Sequence, residues 1–260
     1  MTDFDAAIVD LDGTVYRGHE LIPGADEAVD ALRAAGLDLL FLTNNPTRSA
    51  AEFADDLADL GLSVSPGEIL TSGEVTAEYL ADHHPDARVH AVAEHGLTDQ
   101  LEGAVLTRDP EEADVLLGSI DRAFSYGHLI DALRAVESGV EAFVGTDPDR
   151  TIPTGDGSAV PGSGAIVGAI EATTGRGPDA VLGKPSPETA RAARERLGDP
   201  DPERVLVVGD RLDTDVALGE RAGMVTALVL SGVTRRAEVA DAAVSPDHVL
   251  DSLGAVPDLL

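Results

Sequence analysis

The run Ala6-Ala7-Ile8-Val9-Asp10-Leu11-Asp12-Gly13-Thr14 decides the fold. Four apolar residues, Ala6 to Val9, have the length and punctuation of a buried strand. The strand stops at two aspartates that straddle one leucine, with Gly and Thr directly behind. In an open α/β sheet, ligands bind outside the carboxyl ends of the central strands. Asp10 and Asp12 point the same way along an extended segment, because side chains repeat every two residues. Two like charges held together need a cation or a shared proton, which indicates a metal or divided acid and base roles. A solvated turn would explain the pair if it stood alone. Three later segments argue against that.

Leu39 to Leu42 reads as a second buried strand, and it ends in Thr43-Asn44-Asn45-Pro46. The Thr43 hydroxyl and the backbone N–H groups of the turn before a helix near Thr47 would seat phosphate oxygens. An N-cap with an asparagine turn explains the same residues. Lys184 is the only lysine in the chain and stands between Gly183 and Pro185, after a short strand expected at Ala180 to Leu182. A compact ammonium can touch a phosphate and a carboxylate together. The last segment, Val205 to Asp215, is an apolar strand ending in Gly209-Asp210, with Asp213 and Asp215 at the entry to a helix. Acidic residues suit a helix N-terminus in any case. Asp210, first after its strand, matches the position of Asp10.

Composition limits the partners. The formal net charge is −30, which argues against nucleic acid or anionic lipid as an electrostatic partner. Lysine is nearly absent and aspartate abundant, a surface suited to molar salt, which screens repulsion over a few ångströms; a halophilic source is the expectation. There is no cysteine, hence no disulfide framework. The N-terminal Met1-Thr2-Asp3-Phe4-Asp5 lacks the cationic and apolar regions of a secretory leader. No apolar run approaches the roughly 20 residues of a membrane span. A soluble, cytoplasmic protein is expected.

Strand-like and helix-like segments alternate, which indicates βαβ units around a parallel sheet. About 30 residues separate Asp12 from Thr43, enough for one crossover and nothing more. About 140 separate Asn45 from Lys184, far beyond an ordinary connection, so an inserted domain is expected there. The reading is a core formed by residues 1–82 and 179–260 and an inserted α/β domain at 83–178.

Strand ends carrying Asp-x-Asp, Thr-Asn, Lys and Gly-Asp in that order resemble the haloacid dehalogenase (HAD) superfamily. Asp10 to Gly18, Thr43-Asn44-Asn45, Gly183-Lys184-Pro185-Ser186 and Gly209 to Asp215 look most like its NagD-like group, which includes phosphoglycolate and 4-nitrophenyl phosphate phosphatases. The resemblance implies an α/β fold, with a Rossmann-like parallel-sheet core and an inserted cap of the second type. It also implies hydrolysis of small phosphorylated metabolites with Mg²⁺. In that scheme Asp10 is the nucleophile that forms an aspartyl-phosphate, and Asp12 is the general acid and then base. The metal is held by Asp10, the backbone carbonyl of Asp12 and Asp210, with Asp215 holding metal waters or Lys184. Thr43, Asn44, Asn45 and Lys184 bind the phosphate. Asp12 favours ester hydrolysis over carbon–halogen or carbon–phosphorus cleavage, because the superfamily's phosphatases keep a carboxylate there. Hard oxygen donors favour Mg²⁺ over zinc. In the cap, Asp121 and Tyr126 are candidates for substrate recognition, against a helix cap and packing as the plainer roles; a homodimer through the cap is expected from the family. The rivals are a phosphotransferase using the same aspartyl-phosphate and a non-catalytic phosphate-ligand sensor.

Overall fold

The computed structural model describes residues 4–154 and 158–260. Residues 1–3, part of the stretch read for a leader, and residues 155–157 lie outside the described residues. The chain divides into two compact units: residues 1–43, 50–70 and 184–260 form the first, and residues 44–49 and 71–183 the second.

Unit 1 is built on a six-stranded sheet in the order His248–Leu250, Val225–Val229, Val205–Gly209, Ala6–Asp10, Asp38–Thr43, Ile69–Thr71. Ala6–Asp10 pairs in parallel with Asp38–Thr43 on one side and Val205–Gly209 on the other. From this central strand the chain builds outward in one direction, then returns to build in the other. That reversal opens a crevice at the carboxyl ends of the central strands. The register brings Asp10 level with Leu42, and Val9 level with Val208. All five residues of Ala6–Asp10 are buried, as expected of a central strand covered on both faces. The Ala25–Ala34 helix buries Ala25, Ala28, Val29 and Leu32 in the same core as Ala7 and Val9, a stripe at helical spacing. Phe41, Leu57, Leu206 and Val208 complete that core, and side chains of this kind contribute about 1.5–3 kcal/mol each when fully buried.

Unit 2 has its own five-stranded parallel sheet, ordered Ala180–Val181, Ala142–Gly145, Val115–Gly118, Arg88–Val92, Val105–Leu106. The Tyr126–Ser138 and Ser163–Thr174 helices pack on it around Leu116, Phe143, Val167 and Ile170. Its Ser72–His83 helix starts from a capping box of Thr71 and Glu74. Both units are thus α/β with parallel sheets, the second inserted in the first. No helix among the described residues is long and apolar enough to cross a membrane.

Three local expectations change. The helix expected near Thr47 begins at Ala50, because Asn45 and Thr47 form a side-chain-bonded turn first. Residues 72–82, read as the end of the first core segment, fall in unit 2 within the Ser72–His83 helix. The strand expected at Ala180 to Leu182, within the 179–260 core segment, forms as Ala180–Val181 and pairs with Val144 and Gly145 of unit 2. Lys184 therefore follows a strand of the inserted unit and opens the return to unit 1.

Candidate active site

Asp10 ends the central strand of unit 1, and Lys184 reaches it from the start of the returning chain. The Lys184 Nζ pairs with Asp10 Oδ1, lies 2.7 Å from Asp215 Oδ1, and donates to the Leu42 carbonyl at 3.1 Å. All three charged residues are buried, Lys184 to 3% exposure. Burial alone would lower the lysine pKa, but the Asp10 and Asp215 charges outweigh it and raise it. The ammonium therefore stays charged inside the protein.

Asp210 follows the Val205–Gly209 strand. Its Oδ2 accepts the Val233 N–H at 2.5 Å, and its carbonyl accepts the Thr234 N–H at 3.2 Å. Asp215 sits in a wide, π-type helical turn after it (Leu212–Val216), with Oδ2 accepting the Arg211 N–H at 3.0 Å. Glycine allows these approaches. A methyl at Gly13, which has φ +86°, would stand 2.5 Å from Asp210 Oδ2, and one at Gly209 would overlap the Asp215 carboxylate. Carboxylate oxygens of Asp10, Asp210 and Asp215 lie within 4.8 Å of one another.

Three buried carboxylates face one lysine, so negative charge exceeds positive. Burial drives the Asp10 carboxyl well above the usual carboxylate range; Lys184 opposes this, while Asp215 and Asp210 add to it. Asp210 is pushed up to about 7, by burial first and then by Asp215. The Asp10 Oδ2 atom is buried without a hydrogen-bond partner, and an orphaned carboxylate oxygen is costly unless something positive meets it. An oxygen-only donor set with surplus charge fits a hard divalent cation such as Mg²⁺.

Asp12 is solvent-accessible yet closely surrounded by protein. That desolvation raises its carboxyl above the usual range, against a hydrogen bond from Tyr16 and the Lys184 charge. The Tyr16 Oη–Asp12 Oδ2 distance is 3.1 Å. Thr43 is the last residue of its strand and is buried, directly after the Leu42 carbonyl that holds Lys184. The Asn45 Oδ1 accepts both the N–H and the hydroxyl of Thr47, at 3.0 and 2.8 Å, so its side chain serves the turn.

In unit 2, Asn44 donates from Nδ2 to Asp149 Oδ2 at 3.2 Å, and its carbonyl accepts the Ser72 hydroxyl at 2.6 Å. Asp121 accepts the Ala123 N–H at 2.8 Å, a local turn, and lies 3.8 Å from His128 Nε2. Tyr126 opens its helix and is 78% exposed.

Sequence reading passed over Tyr16 as a partner of Asp12 and the Ser231–Thr234 segment as a partner of Asp210. The second had a signal. Val225–Val229 is another apolar strand followed by small polar residues, as at the other strand ends, and Ser231 Oγ also holds the Gly13 carbonyl at 2.7 Å.

Residues 7–107 match the family model of haloacid dehalogenase-like hydrolases, and residues 181–256 match an HAD-hydrolase-like model. The sugar-phosphatase AraL of Bacillus subtilis is 37% identical over 254 residues, covering 97% of this chain and 92% of its own. The 5'-nucleotidase YutF of the same organism is 35% identical over 253 residues, covering 97% of each. Among solved structures, the p-nitrophenyl phosphatase from Archaeoglobus fulgidus superposes with a TM-score of 0.92 at 37% identity, over 99% of this chain and 100% of that one. NagD from E. coli K-12 superposes with a TM-score of 0.88 at 30% identity, over 98% and 99%. Both family models therefore fall on the segments that carry the clustered aspartates and Lys184, and the chain belongs to the haloacid dehalogenase-like hydrolase family, in its NagD-like branch.

Proposed function

We propose that this protein is a phosphatase that hydrolyses small phosphate monoesters with Mg²⁺, by way of an aspartyl-phosphate on Asp10. The observation that carries the reading is the Asp10 carboxylate, held on Oδ1 by Lys184 while buried Oδ2 has no hydrogen-bond partner. An electrophilic phosphorus or a cation would relieve that oxygen. The names of the relatives add sugar phosphates, nucleoside 5'-monophosphates and nitrophenyl phosphate as substrate types.

Asp10, the Asp12 carbonyl and Asp210 are the residues we assign to Mg²⁺, with Asp215 bracing Lys184. When bound, the ion offsets repulsion between carboxylates and phosphate and polarises the phosphoryl group. Asp10 attacks phosphorus and the ester oxygen leaves. Thr43, the Asn44 N–H and Lys184 hold the non-bridging oxygens, whose charge must be matched as the phosphoryl group transfers. Asn45 shapes the turn behind them. Asp12, its pKa raised and its carboxyl oriented by Tyr16, gives its proton to the leaving oxygen and then takes one from the attacking water. Substrate choice we assign to unit 2, with Asp121 and Tyr126 as candidates.

Asp12→Ala is expected to slow sugar-phosphate hydrolysis by about 10²–10⁴-fold. Release of nitrophenol, which leaves without a proton, is expected to suffer far less in its first step. Equal slowing of that first step for both esters would count against the acid role.

The experiment is phosphate release from a panel of sugar phosphates, nucleoside 5'-monophosphates and 4-nitrophenyl phosphate, with and without Mg²⁺. Molar KCl is chosen because the −30 charge suits a salt-adapted surface. Phosphate released without any added acceptor, and only with Mg²⁺, is the expected result. Transfer only to an added alcohol would mark a phosphotransferase; no reaction by folded protein would overturn the enzyme reading.

A further inference from the structure

The chain first enters unit 2 at Asn44, one peptide beyond Thr43, returns to unit 1 over residues 50–70, and finally leaves unit 2 at Gly183, one peptide before Lys184. Both residues abut the same turn. Asn44 Nδ2 donates to Asp149 Oδ2 at 3.2 Å. The Asp149 N–H donates to Asp147 Oδ1 at 3.1 Å, and Thr146 Oγ1 donates to Asp147 Oδ2 at 3.0 Å. Ser119 shares a hydrogen bond of 2.9 Å with Thr146. A methyl at Gly183, which has φ +67°, would stand 2.8 Å from both Asn44 Oδ1 and Asp147 Cβ. The glycine before the lysine therefore lies against the same pair.

This turn is costly to build. Asp147 is 2% exposed, and Ser119 and Thr146 are fully buried. The partners the structure gives Asp147 are the Thr146 and Ser163 hydroxyls and the Asp149 backbone amide rather than a cation. Burial first, and Asp149 second, push its carboxyl up to about 7. A buried polar network is costly where a member is left unpaired, and where its members are paired it rigidifies the structure around one geometry. The geometry specified here is that of Asn44, held through its side chain by Asp149 and through its carbonyl by Ser72.

We propose that Asp149 is a positioning residue for phosphate binding. Its carboxylate fixes the Asn44 side chain and, with Ser72, the direction of the Thr43–Asn44 peptide whose N–H meets a non-bridging oxygen. Asp147 in turn holds the backbone that presents Asp149. The proposal rests on the phosphatase reading and goes beyond it by naming what sets the phosphate-binding peptide.

The test compares wild type, Asp149→Ala, Asp149→Asn, Asn44→Asp and the exchanged pair Asn44→Asp/Asp149→Asn. For each, kcat and KM for 4-nitrophenyl phosphate, the dissociation constant for inorganic phosphate and the thermal midpoint are measured. Asp149→Ala is expected to raise KM and the phosphate dissociation constant about tenfold, the scale of a lost hydrogen bond to a charged group. Asp149→Asn keeps an acceptor oxygen for Asn44 and is expected to stay within about twofold. Asn44→Asp sets carboxylate against carboxylate and is expected to lose at least as much as Asp149→Ala. The exchanged pair restores one donor and one acceptor, so it is expected to recover most of that loss, as a coupled pair should. A lower thermal midpoint for Asp149→Ala, with wild-type KM and phosphate affinity in the folded protein, would overturn the proposal, as would an exchanged pair no better than Asn44→Asp. A wild type that hydrolyses no ester removes the phosphatase reading and this proposal together; wild-type turnover with no effect at Asp149 removes this proposal alone.

Discussion

Asp10→Asn is expected to reduce turnover to background, a loss on the order of 10⁴-fold or more, in a protein that still folds. The amide fills the space of the carboxylate but lacks its nucleophilic charge, and it is a poorer ligand for a hard cation. Folding should survive for a reason the site makes plain. Asp10, Asp210 and Asp215 crowd one lysine, and removing one negative charge from that group relieves repulsion. Lys184 keeps Asp215 at 2.7 Å. In protein freed of divalent cations, Asp10→Asn is therefore expected to unfold at the wild-type temperature or above it. Near-wild-type turnover would remove Asp10 from the reaction, and a sharply lowered midpoint would show that the charge is structural.

Lys184→Met is expected to have the opposite effect on stability and a similar one on activity. It removes the lysine facing three buried carboxylates while keeping most of the side-chain volume. Breaking a buried pair by deleting one partner costs about 3–5 kcal/mol, because the charge left behind has no compensation. At this chain length that is a fall on the order of 10 °C in thermal midpoint. Turnover should fall by about 10²–10³-fold, the scale for losing one preorganised contact to transition-state charge. Mg²⁺ should restore more stability to Lys184→Met than to wild type, since it would be the remaining countercharge. Equal midpoints for variant and wild type without Mg²⁺ would contradict the charge balance inferred here.

Much of this site could be read from local pattern. Asp10 and Asp210 each follow an apolar run of strand length, and the parallel register then places them at one edge of the sheet. Lys184 stood out by composition, as a solitary lysine between Gly and Pro. Its strand could not be assigned by the same means. Ala180–Val181 has two residues, too few for a period, and its pairing with Val144 and Gly145 is a tertiary choice. Ile69–Thr71 and His248–Leu250, three residues each, escaped notice for the same reason.

The division of labour among the polar residues was less legible. Asn45 and Asn44 are adjacent and alike in sequence, yet one closes a turn onto Thr47 and the other reaches Asp149, 105 residues away. Only the folded chain separates them. Asp215 was read as a support for Lys184 or for metal waters; the structure puts it on the lysine and inside the carboxylate cluster. Tyr16 lies four residues from Asp12, but the loop that turns it back is held by backbone bonds such as Gly13 N–H to the Tyr16 carbonyl at 2.8 Å. Side-chain type does not announce such a loop.

The most direct measurement is a rapid-quench experiment on Asp12→Ala with 4-nitrophenyl phosphate labelled in the phosphoryl group. Nitrophenol leaves without an acid, whereas breakdown of an aspartyl-phosphate needs Asp12 to activate water, so the intermediate should accumulate. The expected result is a burst of nitrophenol close to one equivalent per chain, with the label retained on Asp10 in the quenched protein and the burst absent from Asp10→Asn/Asp12→Ala. Nitrophenol and inorganic phosphate appearing in step, with no label on Asp10, would contradict covalent catalysis by this residue.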